Sequence, residues 1–316
     1  MSDQVRETPA PRTPVARLIG VLTSPGEAFK EIAAHPGWLP PFLVYMVVFC
    51  ICFGVYAVKA DWIAIVTEQI ESSPFMKLVP DANRDEAIRG ATAGLQKLSR
   101  GQMAATNLCN IGSSIVGFYH GMTLLYATLF VMVGSLKDLK LGKAWGRFLL
   151  CLLLLIGYIV VYSISNFAFR DSPASALLMI GTGSVVMVGL WTWRLNGQAA
   201  RDGEFHKMLT VCCYSSVVLM VSMIAVMALS LAHQGDIQVA IDKLVPSNLG
   251  AVLAPDNAVL RTLFSSLDIF ILWFLAVLSI GFKTVTKLSF GMSASMTFLP
   301  WGLVVMVKIA WAAVFG

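Results

Sequence analysis

The sequence predicts an all-α protein: a polytopic transmembrane bundle of about seven helical spans with its N-terminus inside. Three observations predict it. Of the 316 residues 57% are apolar and only 13% are Asp, Glu, Lys or Arg, about half of the ~25% charge carried by soluble domains. The mean hydropathy is +0.75 over the whole chain, so the apolar residues do not form a single anchor. The apolar runs are also continuous and near or above the ~20 residues needed to cross a hydrocarbon core of about 30 Å. A soluble globular enzyme and a disordered chain are both excluded, since disorder requires low hydrophobicity and high charge. In lipid only helices and closed barrels satisfy the backbone, and barrel strands would alternate in segments of about 10 residues.

The elements follow in order. Residues 1–38 read as a cytoplasmic segment, polar and holding Asp3, Glu7 and three prolines before Val15. The short apolar stretch of a secretory signal is missing, so the first span is expected to act as its own signal. Within this segment Ser24-Pro25-Gly26-Glu27 has capping-box spacing with Pro at the first helical position. Phe29, Ile32 and Ala33 then make an apolar face that ends at His35-Pro36. A short helix lying in the inner headgroup region is expected.

Residues 39–316 form the transmembrane domain, with spans near 39–58, 107–134, 146–169, 175–193, 208–232, 262–282 and 293–315. The outer loop 59–105 carries a second helix from about Asn83, with Glu86 three residues on and Ile88, Ala91, Leu95 and Leu98 along one face. That face would pack on the outer ends of the spans or lie on the membrane. Only Arg170-Asp171-Ser172-Pro173 separates the third and fourth spans, a polar turn. A five-span alternative treats this pair as re-entrant or interfacial. An odd number of spans argues against two equal inverted halves.

Orientation follows the basic residues of the short loops. With the N-terminus inside, the inner segments hold Arg6, Arg12, Arg17, Lys30, Lys137, Lys140, Lys143, Arg147, Arg194, Arg201, Lys207, Lys283 and Lys287. The short outer segments hold Arg170, Lys243 and Arg261, while loop 59–105 balances six bases with six acids. Trp38, Trp145, Trp191 and Trp193 are expected at the inner interface, and Trp62 and Trp311 at the outer one. The net charge of +5 reflects these inner loops. No run of Lys or Arg reaches five residues, which argues against a nucleic-acid partner. The six cysteines, Cys50, Cys52, Cys109, Cys151, Cys212 and Cys213, sit in or beside apolar runs without metal or redox spacing.

Ionisable side chains inside lipid are costly unless paired or hydrated. Asp268 lies seven residues inside Arg261, and Lys308 stands at a similar depth from the outer end of the last span. At 1.5 Å per residue both would lie roughly 10 Å below the outer surface, so an intramembrane Asp268–Lys308 ion pair is expected. As a clamp it registers two helices; as a relay it moves a proton or substrate. On the second span Asn110, Ser113, Gly117, His120 and Gly121 share one helical stripe, with Gly117 and Gly121 forming a GxxxG approach. His120 could carry a proton, but it more simply hydrogen-bonds Tyr162, Ser163 or Asn166 of a neighbouring helix. No second His stands near it, so no metal site is expected. The chain has no HExxH, GxSxG, GxGxxG or Walker loop. Neither a catalytic residue nor a cofactor is predicted, and an enzyme is the least favoured class.

Two groups of residues carry a resemblance. One is Ser24-Pro25, Phe29, Ile32 and Pro36-Gly-Trp38-Leu-Pro40 running into the first span. The other is Ser247-Asn-Leu-Gly250 with Pro255-Asp256, then Ser266-Leu-Asp268, Trp273, Lys287-Leu-Ser289-Phe, Pro300-Trp301 and Lys308. In these the chain resembles the bacterial branch of the Yip family, integral membrane relatives of Ypt/Rab-interacting proteins. The resemblance implies about five spans, and region 136–195 would add two more. It also implies an accessory role in the membrane, linked in some bacterial relatives with ABC-type export systems and in eukaryotes with small-GTPase-assisted traffic. It attaches no catalytic role to Asp268 or Lys308.

The expected function is therefore a non-enzymatic multi-pass protein of the inner (plasma) membrane, a scaffold or accessory subunit whose partners are the lipid bilayer and other membrane proteins. The alternative is a small-solute or lipid transporter using the polar stripe and the Asp268–Lys308 pair.

Overall fold

The computed structural model describes residues 13–71, 76, 79–109, 204–253 and 255–315. Two short helices come first. In α1 (Pro14–Thr23) the Thr13 hydroxyl accepts from the Ala16 N–H at 3.3 Å, a normal N-cap. In α2 (Pro25–Ala34) proline opens the helix where the capping-box spacing predicts, although the Ser24 side chain makes no capping bond. Arg17 ties the two together: its Nε donates to Glu31 Oε1 at 3.1 Å and its Nη1 to the His35 carbonyl at 3.0 Å.

Four described helices are long and apolar enough to cross a membrane: Leu39–Lys59, His206–Ala232, Ile269–Thr286 and Phe290–Val314. The first is α3 (Leu39–Lys59). Its buried Tyr45, Phe49, Cys52, Phe53 and Tyr56 recur at helical spacing, while Leu43, Val47, Ile51 and Val58 are exposed on the other side. It is followed by α4 (Trp62–Glu71) and α5 (Asp81–Gln96), and residues 100–109 are again helical. The second spanning helix consists of α6 (Glu204–Ser215) and α7 (Val217–Ala232), with a turn at Ser216 whose hydroxyl donates to the Cys212 carbonyl at 2.9 Å.

Three small helices then precede the last two spans: α8 (Ile241–Leu244), α9 (Leu249–Leu253) and α10 (Ala258–Ser266). The spans are α11 (Ile269–Thr286) and α12 (Phe290–Phe315). Lys287 between them adopts a left-handed conformation at φ 56°, the turn that ends many helices. Span α3 packs on α7, and α11 packs on α2, α6, α7 and α12. Buried hydroxyls join α11 to α12, where Ser279 Oγ and Thr297 Oγ1 are hydrogen-bonded. Such bonds tie helices together where lipid offers no alternative partner.

Four expectations meet this structure. Spans 39–58, 208–232 and 293–315 correspond to helices of nearly those bounds. The span expected over 262–282 is instead two helices, α10 and α11, broken at Leu267–Asp268. The apolar run masks the break because Asp268 acts as an N-cap, whose extended backbone at φ −90° and ψ 131° cannot continue a helix. The span expected over 107–134, beyond its described start at 107–109, and those over 146–169 and 175–193 lie outside the described residues. So do Trp145, Trp191 and Trp193.

One placement also differs from expectation. Phe29 and Ile32 of α2 are both 0% exposed, so the apolar face turns into the bundle. A Cβ on Gly281 of α11 would come within 3.0 Å of Phe29 Cζ and 2.5 Å of Val211 Cγ1, so α2 seats where only glycine leaves room. Trp62, three residues beyond the end of α3, is buried against protein. It stands edge-on to Tyr56 at 5.9 Å and donates its indole N–H to the Ala57 carbonyl at 3.0 Å.

Candidate functional site

Polar residues concentrate at the end of the bundle where α3 and α7 finish and α11 begins. A short connection after α7 is fastened there by side chains far apart in sequence. Lys59 Nζ donates to the carbonyls of Ser230 and His233, both at 2.6 Å. Ile237 pairs with the end of α3 as an isolated parallel bridge: its carbonyl accepts from Asp61 N–H at 2.8 Å and its N–H donates to Lys59 O at 2.9 Å. The Tyr56 hydroxyl donates to Val239 O at 2.9 Å. Outside the spans, Arg100 grips Asp236 through two parallel bonds, Nη1–Oδ1 at 2.9 Å and Nη2–Oδ2 at 2.5 Å. The guanidinium hydrogen bond holds the Asp236 carboxyl below its ordinary value and raises Arg100 in turn. Lys243 of α8 reaches Glu68 of α4 at 2.6 Å.

The chain then folds back on itself. Asn248 and Asp268 form an antiparallel bridge, with Ile269 N–H donating to Ser247 O at 3.0 Å and Leu249 N–H to Leu267 O at 3.4 Å. Asp268 Oδ1 accepts from Phe270 N–H at 2.8 Å and Ile271 N–H at 3.1 Å, and Oδ2 accepts from the Ser247 hydroxyl. Its charge thus stands at the positive end of α11, where a carboxylate is favoured. Between the strapped segments, α9 and α10 form a tight hairpin. A Cβ on Gly250 would strike the Ser265 hydroxyl and come within 2.8 Å of the Ser265 backbone nitrogen. Asn257 caps α10 by accepting from Val259 and Leu260 N–H. Arg261 braces the preceding turn, donating from Nε to Pro255 O at 3.1 Å and from Nη2 to Asp256 O at 3.3 Å.

The hairpin and the spans border an open cavity of about 400 Å³. Its rim carries Lys243, Ser247, Asn248, Arg261, Ser265 and Asp268, and its deeper wall is Ser222, Met223 and Val226 of α7 with Ile271 of α11. The cavity thus has a polar rim and a mainly apolar floor. No group of three His, Cys, Asp or Glu side chains able to hold a metal occurs among the described residues.

The residues singled out in the sequence fare differently. Asp268 lines the cavity, with Ser247, Asn248 and Gly250 of the motif that carried the resemblance. Of the expected Asp268–Lys308 pair, the Asp268 oxygens accept from Ser247 and the first turn of α11, and Lys308 is exposed on α12. Matched depth gave no information about rotation around each helix axis, and rotation places Lys308 on the outward face. The stripe Asn110, Ser113 and His120, with Gly117, Gly121, Tyr162, Ser163 and Asn166, lies outside the described residues. Sequence reasoning missed Gly250 against Ser265, the apolar floor, and Arg261 as more than a loop charge. Asn257 as an N-cap residue was the local signal for α10.

A family model described as the Yip1 domain matches residues 135–312, more than half of the chain, and takes in the whole cavity lining. The N-terminal motif Ser24–Pro40 lies outside that match. No curated protein and no solved structure matches the chain.

Proposed function

The chain belongs to the Yip1 domain family, and from that premise we propose that it is a non-enzymatic scaffold or accessory subunit of a larger membrane assembly. It is an integral membrane protein with apolar spanning helices. The proposal places it in the inner (plasma) membrane with its N-terminus inside and about seven spans, following the excess of basic residues on the short inner loops.

The observation that carries the accessory reading is the outward face of α12. Leu299, Leu303, Val304, Met306, Val307, Trp311 and Val314 are all exposed, and the same helix exposes Lys308 among them. A wholly lipid-facing helix has little use for a cation at that depth. A neighbouring span that supplies a carboxylate or carbonyl at the level of Lys308 would satisfy it and cover the apolar face. An ABC-type export complex is the first partner to test.

The experiment places a photo-crosslinking residue at Val307 in native membranes. A reproducible protein adduct of defined mass, lost in Lys308→Glu, supports the reading. Lipid adducts alone, together with solute uptake by the purified protein in liposomes, would overturn it and favour transport along the stripe of Asn110, Ser113 and His120.

A further inference from the structure

We propose that the cavity beneath the α9–α10 hairpin is a binding site for the phosphate end of a glycerophospholipid. The cavity combines two environments at the depths where a phospholipid changes from polar to apolar. Val226 and Ser222 on its α7 wall stand six and ten residues before Ala232, where the span ends. At 1.5 Å per residue this is roughly 9 and 15 Å below the end, inside a hydrocarbon core about 30 Å thick. The rim, with Ser247, Asn248, Arg261 and Asp268, lies on the connections beyond the spans. A soluble anion would fill only the rim and leave the half-buried Met223 and Ile271 facing empty space. The volume of about 400 Å³ lies within the ~300–1,000 Å³ of ligand sites. It admits a phosphate, the glycerol and the first methylenes, with the tails continuing into the bilayer.

The charges select the phosphodiester. Lys243 is answered by Glu68, and Asp268 by the Ser247 hydroxyl and the α11 N–H groups. Arg261 differs, because its two bonds go to backbone carbonyls and use only two of the five guanidinium donors. A held, planar guanidinium with donors remaining recognises phosphate oxygens in a forked geometry. Ser265 and Asn248 beside it supply further donors to the phosphate and glycerol oxygens.

This inference is independent of the accessory reading, since it uses no residue of α12. The test incubates the purified full-length protein with micelles containing phosphatidylglycerol or a galactosyl diacylglycerol of the same chains, and counts retained lipid by native mass spectrometry. The wild type is expected to prefer phosphatidylglycerol by about tenfold or more, as a lost charge-assisted bond implies. Arg261→Gln brings the preference to about one, whereas Met223→Trp, which fills the floor without changing charge, lowers retention of both lipids.

Equal retention of the two lipids by the wild type would overturn the proposal with no variant needed. So would unchanged retention in Met223→Trp, or displacement of phosphatidylglycerol by an equal concentration of glycerol 3-phosphate, which would make the ligand soluble. If lipid preference is absent while the α12 adduct persists, this inference falls alone. If the adduct is absent while the preference persists, only the accessory reading falls.

Discussion

Asp268 shows how one carboxylate can be assigned two roles from the same letters. Inside an apolar run it reads as a costly intramembrane charge in search of a cation. In the structure it accepts from Phe270 and Ile271 N–H and from the Ser247 hydroxyl, and it starts a helix. Asp268→Ala should therefore cost about 1–2 kcal/mol, the loss of a strong N-cap. Lys308→Ala should stay within about 0.5 kcal/mol, as exposed substitutions do. The double variant should equal the two combined, measured by thermal unfolding in detergent. Strong coupling between the two would restore the ion pair. Gly250 is the other residue whose role only geometry exposes. Gly250→Val should lower the melting temperature and distort the cavity wall, because its Cβ meets the backbone of Ser265. A glycine beside Asn248 and Leu249 looks like ordinary turn chemistry in the sequence, and the residue it must avoid lies fifteen positions away.

Among the elements, α2 was legible in kind and position but not in setting. Its Pro25 start and His35-Pro36 stop are local signals. Whether Phe29 and Ile32 meet lipid or protein depends on Gly281 and Val211, which no local pattern links to them. Phe29→Ala should destabilise the protein by about 3–5 kcal/mol, the range for truncating a buried aromatic; a helix merely resting on headgroups would lose far less. The connection after α7 makes a pH prediction. Arg100 lowers the Asp236 carboxyl below its ordinary 3.8, so this contact contributes fully above that pH and is lost as the pH falls through the lowered value. Hydrogen exchange around Ile237 should rise only in strong acid in the wild type. Asp236→Asn should show raised exchange at neutral pH and little further change with acid.

For the whole molecule, membrane residence and helical class follow from composition, and the family match over 135–312 agrees with the C-terminal motif residues. Hydropathy sums the transfer free energy of each stretch by itself, so it determined that this chain enters lipid as helices, and roughly where three of them run. It could not register Asp268 as a helix start, turn Lys308 away from it, or bring Ser247, Arg261 and Met223 around one cavity. Those outcomes depend on the rotation of each helix about its axis and on contacts between residues distant in sequence. Only tertiary packing sets them, because a buried cap or a close glycine contact gains its energy from a partner that the local sequence does not contain.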